Sequence, residues 1–361
     1  MKKILYIEAT SSKGGIETFI LNTCKYLDRN AYKVTVLANC RECSIERELK
    51  EAGVKIRHIR PAEKGIFAYY KDLNRIIRPE NFDIVHINKN SLAEPLALLI
   101  SKKNKIRKII LHSHNTHPTS GKISSVLHKI FRNLLISPKI WQVACSEQAA
   151  EWMFPKRKSC LLLKNGIETE KYAFCPEIRE KVRDMLGLSP NQSAICNVGR
   201  LCPQKNTLFL LEIMHRIVRK QPNAKLFLIG TGELETSAKE KTKALKLEKN
   251  VVFMGKRTDV NELLQGMDLF LMPSLHEGLP IAAVEAQAAS LPLLISDTVD
   301  KDVKILDSTE FQELNSSPEI WAEHCLKLIE KSQRSDTGTI LKKAGYDIRE
   351  SVKELVKLYK K

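Results

Sequence analysis

Short apolar runs alternate with amphipathic stretches along the whole chain of 361 residues. In the first half, Lys3–Glu8, Lys33–Leu37, Val54–Ile59, Ile84–Ile87, Lys108–His112, Trp141–Ala144 and Cys160–Leu163 read as strands; in the second half, Ala194–Val198, Ala224–Ile229, Asn250–Met254, Leu269–Met272 and Leu291–Ile295 do. Several are apolar at consecutive positions, as strands covered on both faces require. Helical spacing fills the intervals, as in Ile16–Leu27 and Leu208–Lys220. Repeated strand–helix units imply parallel sheets with right-handed crossovers. The series runs twice, and the length suits two domains of roughly 150–180 residues, so two doubly wound α/β domains are expected. The seam is placed near 165–190, where Asn165-Gly166 and Pro176 precede a charged helix, Pro176–Leu186. The chain ends in a charged amphipathic helix, Asp347–Lys361.

No stretch approaches the ~20 uncharged apolar residues of a membrane span. The start, Met1-Lys2-Lys3-Ile4-Leu5-Tyr6-Ile7-Glu8, is too short and too soon charged for a secretion signal. Nine scattered cysteines, an odd number, fit a reducing, cytoplasmic compartment better than a disulfide framework. Cys40-Arg41-Glu42-Cys43 is a lone CxxC with no second ligand pair, so no metal site is expected. Net charge is +17 and lopsided: residues 1–175 hold 31 Lys/Arg against 16 Asp/Glu, residues 176–361 hold 28 against 26. A positive field on one half suits nucleic acid, an anionic membrane surface or a phosphate-bearing substrate.

Doubly wound sheets bind ligands at the carboxyl ends of their strands. After the first strand, Ser11-Ser12-Lys13-Gly14-Gly15 opens a helix, either as a simple turn or as an anion cradle of free N–H groups. Asn197-Val198-Gly199-Arg200 ends a strand of the second half, and Gln204-Lys205-Asn206 follows; Arg200 and Lys205 are a phosphate clamp or ordinary solvated charges. In Pro273–Ala288, a strand ends in a loop bearing Glu277 and Gly278, and a helix begins. There Glu285 lies on a small, apolar face. A carboxylate so placed is costly unless paired or bound to hydroxyls, and a ribose diol is a natural partner. The alternative is that Glu277 caps the helix and Glu285 pairs with a base. His112-Ser113-His114-Asn115-Thr116-His117 ends a first-half strand; zinc, a cleft role for His114 with His86 nearby, or plain core histidines remain open.

The spacing in EGLPIAAVE, Glu277 to Glu285, resembles the signature of retaining glycosyltransferases of family 4, which have the GT-B fold. GGIETF, HSHNT, KNGIETEKY, VGRLCPQKN, LIGTGELE and VVFMGKRTDV occur in that family's order, so the resemblance covers nearly the whole chain. ISDTV and AGYDIRESVKELVKLY resemble bacterial enzymes of capsular or exopolysaccharide synthesis. The resemblance implies two Rossmann-like domains facing across a cleft: an acceptor-binding domain over 1–175, completed by a helix crossing back at about 345–361, and a nucleotide-sugar domain over 176–344. It implies that Arg200 and Lys205 bind the donor diphosphate beside Gly199 and, from the other domain, Gly15. Glu285 would bind the ribose, while Glu277 with Gly278, Leu279 and Pro280 meets the transferred sugar. His114 would contact that sugar near the reacting carbon, and Gly230, Gly232 and Glu233 match a donor-side loop. His114, Arg200, Lys205 and Glu277 are thus the catalytic candidates.

The enzyme so implied is a retaining, metal-independent hexosyltransferase that takes a hexose or N-acetylhexosamine from a nucleotide sugar, UDP by default, and needs no cofactor. Its acceptor would be a lipid-linked saccharide at the inner membrane face. Lys122–Lys139 reads as a basic amphipathic helix, with Lys122, His128, Lys129 and Arg132 beside an apolar stripe, either lying on the membrane or packed into the core. A sugar-nucleotide 2-epimerase is the rival enzyme reading. A basic nucleic-acid-binding protein is the non-enzymatic one, though no nucleic-acid module is present in the sequence and no nucleic-acid partner is expected.

Overall fold

The computed structural model describes residues 1–11, 14–115, 121–156, 160–277 and 279–361. They form two compact units, Met1–Gly166 with Asp347–Lys361, and Ile167–Tyr346. In the first, β1 (Lys2–Ala9), β2 (Tyr32–Ala38), β3 (Lys55–His58), β4 (Ile84–Lys89), β5 (Lys108–Ser113), β6 (Trp141–Ala144) and β7 (Leu161–Leu162) stand in the order β3-β2-β1-β4-β5-β6-β7. In the second, β8 (Ala194–Val198), β9 (Lys225–Ile229), β10 (Val251–Gly255), β11 (Leu269–Met272), β12 (Leu293–Ser296) and β13 (Thr309–Gln312) stand in the order β10-β9-β8-β11-β12-β13. All pairings between these strands are parallel. Strand order reverses between β1 and β4 and again between β8 and β11, and at such switch points the carboxyl ends of the strands open a ligand crevice.

The consecutive apolar residues follow from helices on both faces. Ile4 and Tyr6 of β1 enter one apolar layer and Leu5 and Ile7 the other. In the second unit Phe270 and Met272 face one layer, Leu269 and Leu271 the opposite one. The period of two along each strand thus serves two cores at once. Strand β13, sequence TEFQ, was not among the expected strands, and the last expected strand of the first half shrinks to Leu161–Leu162.

The helix Ile348–Lys360 packs with the first unit. Leu355 and Tyr359 are buried among Ile4, Tyr6 and Val36, and the Tyr359 hydroxyl lies 2.5 Å from that of Tyr6. Gly166 has no room for a side chain: a Cβ would sit 2.6 Å from Ile348 Cα. The boundary expected at 175/176 falls at Gly166/Ile167 instead. The Ile167 N–H donates to the Tyr346 carbonyl at 2.8 Å, and Gln265 Nε2 donates to the Tyr172 carbonyl at 2.9 Å, tying 167–175 to the second unit. Pro176 opens the expected helix, observed as Pro176–Met185, where its missing N–H costs nothing.

Candidate functional site

At the switch point of the second unit, two loops are drawn together. Strand β8 ends at Val198, and Gly199 follows with φ +154, a region that favours glycine. Gly230, after β9, has φ +141, and a Cβ on it would lie 1.9 Å from the Gly199 carbonyl oxygen. A short 3-10 turn, Pro203–Lys205, leads into the helix Thr207–Lys220. It is tied to the loop after β11: Leu275 N–H donates to the Gln204 carbonyl at 2.8 Å, and Gln204 Nε2 to that of His276 at 3.1 Å. These ties bring Lys205 Nζ to 2.7 Å from Glu277 Oε1, with both side chains mostly buried (15% and 12% exposed). Glu277 therefore does not cap the helix Ile281–Ala288; Pro280 stands at that N-cap. Leu279 and Pro280 have buried side chains, so only their backbone is available to a ligand. Arg200 is exposed and has no ion-pair partner among the described residues. Gly278 lies outside the described residues.

Glu285 sits inside the same helix and accepts a hydrogen bond from the Tyr172 hydroxyl at 2.7 Å. Burial and the adjacent Glu285 carboxylate push the Tyr172 phenol well up, so it stays a donor. Sequence reasoning missed Tyr172, and the 113 residues separating the pair explain why.

In the first unit, β4 and β5 place three imidazoles together. His86 Nε2 lies 3.2 Å from His112 Nδ1, and His86 Nδ1 lies 2.8 Å from the Tyr359 hydroxyl. His112 and His114 rings are 3.9 Å apart at their centroids. Burial pushes His86 and His112 well below the ordinary imidazole range, and His114 down to about 3, so all three are neutral at pH 7. The partners of His114 select its tautomer. Asn88 Nδ2 donates to the Ile7 carbonyl at 3.2 Å, which turns its Oδ1 toward His114 Nε2 at 2.9 Å. The Nε2 must then carry the proton, and Nδ1 is a bare acceptor. That Nδ1 is buried and has no partner among the described residues. His117 lies outside the described residues.

At the start of the first unit, Gly15 opens the helix Gly15–Tyr26, and a Cβ on it would meet nothing within 4 Å. Glu17 organises this entry: its carboxylate accepts from the Thr10 N–H at 3.0 Å and the Gly14 N–H at 2.9 Å.

The helix Lys122–Leu135 shows which face a periodic pattern leaves outside. Its stripe of Ile123, Val126, Leu127, Ile130 and Leu134 is exposed, Ile123 to 78% and Leu134 to 72%. Lys122 and Lys129 are exposed beside it. His128 is buried, stacked on Trp152 with centroids 4.0 Å apart, and does not belong to the charged face. Arg132 donates to the carbonyls of Glu151 and Trp152 and so is engaged at the end of the helix Glu147–Met153.

Residues 13–171 match the family model described as Glycosyltransferase Family 4, and residues 178–345 match that of Glycosyl transferases group 1. The chain is a glycosyltransferase built from these two family domains. Its curated relatives include a Bacillus subtilis protein named as a glycosyltransferase, EpsF, 26% identical over 99% of this chain and 96% of the relative. The capsular polysaccharide biosynthesis glycosyltransferase CapH of Staphylococcus aureus is 24% identical over 99% of both chains. Among solved structures, Anabaena HepE in complex with UDP-glucose superimposes with a TM-score of 0.79 at 19% identity, covering 99% of this chain and 100% of that one. The glycosyltransferase thus has the GT-B fold, with two parallel-sheet Rossmann-like domains. Of its sequence-predicted residues, Gly199, Lys205, Gly230 and Glu277 converge within the second unit, and Glu285 lies on the adjoining helix. In the first unit His114 is held in place by Asn88, a residue that strand period alone could not single out.

Proposed function

We propose that the glycosyltransferase moves a hexose or N-acetylhexosamine from a UDP-sugar to a lipid-linked saccharide in cell-surface polysaccharide synthesis, retaining anomeric configuration and using no metal ion. The observation that carries this reading is the mostly buried Lys205–Glu277 pair at the β8/β11 switch point, with the exposed Arg200 on the same loop as Lys205. An arriving diphosphate competes with Glu277 for Lys205 and recruits Arg200. Released from the ammonium, the Glu277 carboxylate can accept hydroxyls of the transferred sugar. As the anomeric carbon–oxygen bond breaks, the two cations stabilise the departing nucleoside diphosphate; fixed donors of this kind contribute ~3–4 kcal/mol each. Attack from the same face, with the acceptor proton passing to the departing phosphate, retains configuration and needs no protein nucleophile. The bare Nδ1 of His114 accepts a hydroxyl of the donor sugar, and Glu285, steadied by Tyr172, accepts from the ribose.

Three observations support the substrate classes. The HepE structures hold UDP-glucose, or UDP and glucose. An Escherichia coli relative, 25% identical over 75% of this chain and 68% of its own length, is named UDP-Gal:α-D-GlcNAc-diphosphoundecaprenol α-1,3-galactosyltransferase. Among the described residues no helix is long and apolar enough to cross a membrane, yet the helix Lys122–Leu135 turns an apolar stripe outward between bases. We therefore assign that helix to peripheral contact with an anionic leaflet, where each base adds ~1 kcal/mol.

The test is a thermal-shift screen of sugar nucleotides, in which a ligand at 100-fold its Kd stabilises by about 2.7 kcal/mol, followed by product analysis with lipid-linked acceptors. Lys205→Ala and Glu285→Ala are expected to stay folded and to lose donor binding or turnover; unchanged kinetics in both would remove the site. Donor conversion without any acceptor product would select the epimerase, and tight filter binding of nucleic acid at moderate salt the non-enzymatic reading.

A further inference from the structure

The first unit contains a second built site at its own switch point, outside the residues discussed so far. A cavity of about 940 Å³ opens over the carboxyl ends of β3, β2, β1 and β4. Its floor is an ion triad. Lys89 Nζ, whose side chain is 7% exposed, lies 3.0 Å from Glu8 Oε2 and 2.9 Å from Glu94 Oε2. Burial favours the neutral amine, yet the two carboxylates outweigh it and raise the Lys89 ammonium, which stays charged. Glu94 is spent on structure: its other oxygen accepts from the Leu96 N–H at 2.6 Å.

Glu8 is arranged differently. The pairing of β1 with β2 slips between Ile7 and Ala9, and Glu8 sits at that irregularity with φ +96. A non-glycine residue held there costs about 1–3 kcal/mol, and such strain persists where surrounding structure imposes it. The slip re-aims the side chain into the cavity, as bulges do. Its Oε2 takes Lys89 and the Asn39 Nδ2 at 3.2 Å, while Oε1 has no hydrogen-bond partner among the described residues. The Asn39 Oδ1, which is buried, is also without a partner among them. Two carboxylates against one ammonium repel an anion from the floor, and the ammonium already occupies the place between them that a cation would take. What the two open acceptors lack is neutral O–H donors.

We propose that this cavity is a saccharide subsite of the first unit, in which Glu8 and Asn39, held by Lys89, accept hydroxyls of the acceptor sugar. The proposal deepens the transferase reading, on which the word acceptor rests; the binding of sugar hydroxyls does not depend on it. Lys89 and Glu94 are positioning residues, since they act through Glu8.

The experiment takes the full chain without any nucleotide and measures binding of a panel of methyl glycosides (glucose, galactose, N-acetylglucosamine, N-acetylgalactosamine and rhamnose) by saturation-transfer NMR and calorimetry. At least one glycoside is expected to bind, and Glu8→Gln to weaken it tenfold or more. Asn39→Ala, which leaves the ion triad intact, serves as the second variant and is expected to weaken it severalfold. In turnover with a lipid-linked acceptor, both variants are expected to raise acceptor KM by the same factors, with UDP-sugar affinity shifted less than twofold. No binding by the wild-type chain, or binding unmoved by both variants, overturns the subsite. Glycoside binding that obeys the variants in a protein that consumes no sugar nucleotide leaves the subsite standing and sinks the transferase instead.

Discussion

Acidification is expected to unfold the first unit well above the carboxylate range. His86 and His112 are buried and His114 partly so; all three are neutral, with pKa values pushed below the free value of 6.5. Below pH 6.5 the unfolded chain binds protons at these positions and the native chain does not, so stability falls as pH falls. The loss is absent above 6.5 and continues down toward the native value, about 3 for His114. Each group costs about 1.4 kcal/mol per pH unit, so three together give a slope of about 4. At pH 5.0 the deficit is roughly 6 kcal/mol, comparable to the whole stability of many domains. Glu8, raised by burial, works in the opposite sense, and buried His128 adds to the loss. The assay is urea unfolding between pH 7.5 and 5.0. Trp141 and Trp152 lie in the first unit and Trp321 in the second, so in a Trp321→Phe background fluorescence follows the first unit alone. A slope of 1.4 kcal/mol per pH unit or less would refute three neutral imidazoles; His114→Gln should remove about a third of it.

Gly230→Ala would put a methyl 1.9 Å from the Gly199 carbonyl oxygen at φ +141, and should lower the stability of the second unit by more than ~3 kcal/mol, read from Trp321 fluorescence during unfolding. Tyr172→Phe removes the donor to Glu285 and is expected to cost about 1–3 kcal/mol of stability and to raise donor KM, with kcat less affected. Tyr359→Phe strips a buried hydroxyl from both Tyr6 and His86 and should destabilise the first unit by about 2 kcal/mol or more in the same urea assay. Ile123→Gln with Leu134→Gln leaves the fold intact, because both side chains are exposed, and should cut co-sedimentation with anionic vesicles by more than tenfold while sparing turnover of a water-soluble acceptor.

The doubly wound plan was legible because two-sided burial writes itself into consecutive apolar residues, as in Ile84–Ile87 and Leu269–Met272. Strand β13 escaped because an edge strand half-covered by neighbours carries Glu310 and Gln312, which look like a turn. The seam was legible only as a stretch, 165–190, because a short segment between two sheets can join either, and only the contacts of Ile167 and Tyr172 decide. Helical spacing marked Lys122–Leu135 as two-faced but not which face lies inside, so His128 was put on the wrong side. At the site, local motifs exposed Gly199, Lys205 and Glu277, since each sits where a strand gives way to a loop or a helix. Their partners were hidden: Tyr172 meets Glu285 across 113 positions, and Tyr359 meets His86 across 273.

The two switch points carry the same kind of device with its polarity reversed. In the second unit the cation follows β8 and the carboxylate follows β11, as Lys205 and Glu277; in the first the carboxylate lies on β1 and the cation on β4, as Glu8 and Lys89. Around each pair one further charge tips the balance. Arg200 adds a second cation beside Lys205, whereas Glu94 adds a second carboxylate to Lys89. On the reading proposed above, a pyrophosphate replaces Glu277 on Lys205 and gains Arg200, whereas at Lys89 it would meet two carboxylates. Neutral hydroxyls meet no such repulsion at Lys89, where the Glu8 side chain is held by the Lys89 ammonium. On the proposed reading, one surplus charge at the same topological position divides the substrates, with the diphosphate drawn to the second sheet and the uncharged sugar to the first.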